Sequence, residues 1–133
     1  MRAVDSNRSR DYLTKAENSL RMARIALEQG AYDNAVMSSV HSAINSLDAL
    51  TTSYLGKRSS GSHTDVMMLI KGIFDAKGHS DIAKQFVSLM SLKNASEYQP
   101  DLMEKGDAEK SVLQAERIFA KVKAKLEEKK QPR

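Results

Sequence analysis

Along most of the 133-residue chain apolar residues recur at spacings of three and four, the period of a helix packed on one face. The pattern predicts a first helix from about Asp11 to Gln29, with Tyr12, Ala16, Leu20, Ala23 and Leu27 opposite Lys15, Arg21 and Glu28, ended by Gly30. A second runs from about Ala31 to Leu55, with Val36, Val40, Ala43, Ile44, Leu47, Leu50 and Tyr54 on one face. So short a turn at Gly30 makes the two antiparallel neighbours. After the polar stretch "GKRSSGSHTDV", Thr64 is the expected N-cap of a third helix facing inward through Val66, Leu69, Ile70 and Phe74 and ending near Gly78. Ser80 is the expected cap of a shorter fourth, with Ile82, Phe86, Leu89 and Met90 inward. Pro100 lacks an amide proton and restricts Gln99, so "NASEYQPDLMEKGD" reads as a connection. Asp107 then caps a last helix with Val112, Ala115, Ile118, Phe119, Val122 and Leu126 inward, before "EEKKQPR" frays. The expected fold class is all-α, an up-and-down bundle of four to five helices.

The second helix is the unusual one. From Asn34 to Leu47 it carries no fixed charge, and Ser38, Ser39, Ser42 and Ser46 are small enough to let neighbouring helices approach. It belongs at the centre. Yet His41, Asn45, Asp48 and Thr52 follow at steps of four, three and four, within an arc of roughly 60°. Buried polar groups need partners, so a hydrogen-bonded seam accounts for this stripe. The alternative is the lining of a cleft in which His41 and Asp48 exchange protons near neutral pH.

Length and composition narrow the picture. One domain is expected, residues 11–126, between a flexible basic N-terminus (1–10) and a flexible C-terminal tail (127–133). No cysteine is present, and the first ten residues lack the apolar run of a signal peptide. Both are compatible with a cytoplasmic protein without membrane attachment. Charge sits at the ends: residues 1–10 hold three arginines against one aspartate, and 117–133 hold seven Lys or Arg against Glu127 and Glu128. The remainder is acidic by about three charges, so the net +4 is weak support for a nucleic-acid surface on the body. His41, His63 and His79 lack the Glu-x-x-His pairing of bundle metal sites, and no phosphate-loop or dinucleotide glycine pattern occurs. Neither a metal nor a cofactor is expected, and His79 reads as a loop residue.

Between Leu20 and Ile70, Gly30 ends a helix, Tyr32, Asp33 and Ala35 open the next, and Ala43, Asp48, Ala49 and Leu50, then Gly56 and His63, follow. In this order and spacing the stretch resembles the HEPN family of small bacterial and archaeal helical bundles. "LKNASEYQP" is similar to the family's segment before its last helix, extending the resemblance over about residues 11–126. It implies a bundle that dimerises, often encoded with a minimal nucleotidyltransferase as a toxin and antitoxin pair. Many members are proposed to be metal-independent endoribonucleases using arginine, four to six residues, then histidine. Arg58 and His63, with four residues between them, fit that spacing as candidate catalytic residues. An imidazole can move the proton of a ribose 2′-OH while a guanidinium steadies phosphorane charge. The interval Ser59–Ser62 is loop-like, however, and a loop preorganises a catalytic pair poorly.

Three functions are therefore expected of different classes. The leading one is a module binding a nucleotide, a nucleic acid or a nucleotidyltransferase partner through the cleft of His41, Asn45, Asp48 and Thr52. The second is a metal-independent endoribonuclease toxin using Arg58 and His63. The third is a purely structural homodimeric bundle.

Overall fold

A computed structural model describes residues 2–3, 5–58 and 63–130, without the side chains of residues 2, 63, 64 and 130. Five helices dominate: α1 (Ser9–Glu28), α2 (Tyr32–Leu55), α3 (His63–Ile70), α4 (Ala76–Tyr98) and α5 (Lys105–Lys130). Before α1 come a two-residue strand β1 (Arg2–Ala3) and a 3-10 turn (Ser6–Arg8), and after α2 a two-residue strand β2 (Lys57–Arg58). Arg2 pairs with Arg58 and Ala3 with Lys57, antiparallel. The first strand of this small ladder lies in the N-terminal segment expected to be flexible and the second inside the expected domain, and nothing in the apolar pattern announces either. No helix of the described residues is long and apolar enough to cross a membrane.

The α1–α2 turn follows from backbone chemistry. Gly30 takes φ +76°, which lets its N–H donate to Leu27 O at 3.2 Å while the N–H of Ala31 donates to Ala26 O at 2.9 Å. Those two bonds cap the carbonyls that α1 would otherwise leave open. The chain reverses there, and α2 becomes the central element, touching every other helix. Its Val40, Ala43, Leu47 and Leu50 pack with Val66 and Ile70 of α3, Ile82, Phe86 and Leu89 of α4, and Ile118 and Val122 of α5. Small residues set the closest approach: Ala16, Ala23 and Ala43 are wholly buried, and Ser42 Oγ donates to Ala16 O at 2.9 Å across α1 and α2.

Local expectations fail in three places. Helix α3 stops at Ile70 instead of near Gly78, because Ile73 N–H turns back to Ile70 O at 3.0 Å. Its first residue is His63, so Thr64, the expected cap, lies inside the first turn. Helix α4 begins at Ala76 and is the longer of the two, not the shorter. Asp75, not Ser80, caps it, accepting Gly78 N–H at 2.7 Å. His79 is therefore helical, not in a loop, and a ring nitrogen lies 3.0 Å from Met67 O, tying α4 to α3. Asp107 sits in the first turn of α5, three residues after Glu104, and its carboxylate accepts Glu104 N–H at 3.0 Å. It acts as the reaching-back half of a capping box. Helix α5 also continues to Lys130, past the expected end at Leu126. The break at Pro100 is as expected: α4 ends at Tyr98 and Gln99 is extended.

Candidate functional site

The polar stripe of α2 divides into two groups. At its N-terminal end His41 is exposed, and Asn45 turns back so that its Nδ2 donates to His41 O at 2.9 Å. Opposite them on α4, Glu97 is held below the usual carboxylate range, chiefly by its hydrogen bond from Lys93 at 2.9 Å, with His41 a minor attraction. Seven residues further on, about 10 Å along the helix, Asp48 is 5% exposed and Thr52 wholly buried. The four residues expected to line one cleft thus divide: His41 and Asn45 reach the surface of α2, and Asp48 and Thr52 lie inside the far end of the bundle.

Asp48 carries the unusual electrostatics. Burial raises its carboxyl from the ordinary 3.8 to about 6, and the Arg58 guanidinium opposes that rise. The fold brings these two together through Gly56, which ends α2 at φ +64° with its N–H on Thr52 O at 3.0 Å. Only a residue tolerant of the left-handed region turns the chain back so sharply. Lys57 and Arg58 then run beside β1, with Arg58 half-buried. One turn along from Asp48, Thr52 Oγ1 is buried without a hydrogen-bond partner among the described residues, as is Ser46 Oγ. Buried hydroxyls without partners are uncommon. The backbone of His63 opens α3 five positions after Arg58; its side chain, and residues 59–62, lie outside the described residues. Among the described residues no three His, Asp or Glu side chains are grouped so as to hold a metal ion.

One role was not readable from the sequence. Asp33, in the first turn of α2, accepts from Ser96 Oγ at 3.1 Å and from Met103 N–H at 3.3 Å, holding the connection between α4 and α5. Its partners lie more than sixty residues away, so no local pattern marks them. Asp33→Ala is expected to lower stability by about 1–2 kcal/mol in urea unfolding, as both bonds are long for charge-assisted ones. Hydrogen exchange at Met103 should quicken with it, and an unchanged rate would show that the connection is held by something else.

Taken together, this is an all-α module whose central helix carries a buried acid, about two turns before its end, within reach of an arginine. The model of the HEPN domain matches residues 9–126, and the chain belongs to that family. No curated protein matches it.

Proposed function

We propose that the protein binds a phosphate-bearing ligand, a nucleotide or a nucleic acid, at the junction of α2 and α3, as a homodimer working with a nucleotidyltransferase partner. The observation that carries this reading is Asp48, a carboxyl buried against its own ionisation beside Arg58. Strongly perturbed acids mark functional sites more often than chance, because burying one lowers stability. A guanidinium steadied by a carboxylate keeps other N–H donors, in a planar fork suited to phosphate oxygens. Titration of labelled mononucleotides and single-stranded RNA tests it. Arg58→Ala should weaken binding about tenfold or more while circular dichroism stays unchanged; equal affinity would overturn the reading. Light scattering on the purified chain tests the dimer, and co-purification tests the nucleotidyltransferase.

A second reading is the metal-independent endoribonuclease. It is favoured by a group that changes protonation near neutral pH beside Arg58, ahead of His63. RNA cleavage in EDTA that is lost in both His63→Ala and Arg58→Ala would establish it. Absence of cleavage leaves the binding module.

A further inference from the structure

The sequence places its positive charge at the two chain ends, and the fold brings those ends to one place. The 3-10 turn and the start of α1 form one wall of a groove of about 740 Å³, and the last turns of α5 form the other. Arg10 projects from the first wall, Lys123 and Lys129 from the second, and Ser53 of α2 lies between them. Lys123 and Lys129 are six residues apart, about 9 Å along α5. Lys129 is held in position, its Nζ donating to Ser53 O and to Ser53 Oγ at 3.2 Å and lying 5.0 Å from the Tyr54 ring centre. Among the described residues Arg10 and Lys123 make no hydrogen bond or ion pair. Two carboxylates share the groove. Asp11 is engaged by Arg8 at 3.2 Å, whereas Glu127 is exposed and subtracts from the field. Leu13 and Leu126 supply apolar surface beside the cations. Ser53 lies in the last turn of α2, which ends at Leu55, so the groove borders the helix end from which the chain passes to Lys57 and Arg58.

We propose that this groove is a track for the phosphodiester backbone of single-stranded RNA, leading towards the α2–α3 junction; its direction rests on the reading that the junction binds nucleic acid. Spaced cations with interleaved apolar surface suit a strand that presents phosphates on one edge and bases on the other. A concave, two-walled site fits a strand, whereas an anionic membrane is flat and meets convex or planar surfaces.

The test is fluorescence anisotropy of a labelled oligouridylate across a salt series, with the full chain. Arg10→Gln with Lys123→Gln should weaken binding about tenfold at low salt and reduce the slope of log K against log salt by about 1.4, the share of two phosphate contacts on a single strand. Glu127→Gln should tighten it. Lys77→Gln with Lys84→Gln, exposed cations on α4 outside the groove, should leave it unchanged. The inference is overturned if the wild-type chain does not bind the oligomer, if the α4 pair weakens binding equally, or if phosphatidylserine vesicles are bound in preference. Arg58→Ala separates the two ideas. Loss of binding there with the groove pair unaffected removes the track and keeps the junction; the opposite pattern keeps the groove and removes the junction as binding site.

Discussion

Asp48→Asn is expected to stabilise the fold at pH 8 by up to about 3 kcal/mol and to leave stability at pH 4 nearly unchanged. The sign follows from proton binding. Asp48 titrates near 6 in the folded protein against an ordinary 3.8, so between those values the folded state holds the proton and the unfolded state has released it. Stability therefore falls as pH rises through that window, and above about 6 the whole penalty of an ionised, buried carboxylate is present. Asparagine has nearly the same shape and no charge, so it removes the penalty and the slope together. Urea midpoints from pH 4 to 8 for the two proteins measure it directly. Parallel curves would mean that Asp48 is well solvated or fully compensated when ionised. A gain of stability with a loss of ligand affinity would mark Asp48 as a group kept for function against the interest of the fold.

The bundle was legible because its core is built from residues that repeat at the helical period. Val36, Val40, Leu47 and Leu50 of α2, and Ile118, Val122 and Leu126 of α5, are all buried as their spacing requires. Helix ends were harder, since several residue types can cap and only one does. Asp75 and Ser80 both suit the start of α4, and Gly78 looks like a terminator, but the Asp75 carboxylate takes the Gly78 N–H and settles the start early. The stripe on α2 was visible as a stripe, and its division was not. Whether a polar side chain on a central helix meets solvent or core depends on where α4 and the α2–α3 junction lie, and helical periodicity says nothing of either. Asp48 and Arg58 are ten residues apart across a chain reversal at Gly56, outside any helical step. The basic ends were correctly located in sequence, but their meeting around one groove is a property of the antiparallel packing of α1 and α5.

Arg58→Ala is expected to act oppositely to Asp48→Asn, and its effect on stability should depend on the acid. Arg58 lowers the carboxyl's titration point against the rise that burial imposes, so without it Asp48 should titrate above 6. At pH 8 an ionised Asp48 would then lack its cation, destabilising the variant by about 1–3 kcal/mol, the range for leaving a buried polar or charged group without its partner. At pH 5, where the folded protein already holds the proton, much of that loss disappears. In an Asp48→Asn background the pH-dependent part should vanish, because there is no charge left to oppose. The four proteins form a double-mutant cycle, with unfolding free energies at pH 5 and 8 as its readout. A coupling larger at pH 8 than at pH 5 establishes the pair as an ionic one; equal couplings would mean that Arg58 acts through packing. Ligand affinity across the same four proteins then distinguishes two uses of the arginine. If Arg58 itself meets the phosphate, its removal weakens binding about ten- to hundredfold whichever residue stands at position 48. If it serves only to tune the acid, affinity follows the state of Asp48, and Arg58→Ala changes little once position 48 is asparagine.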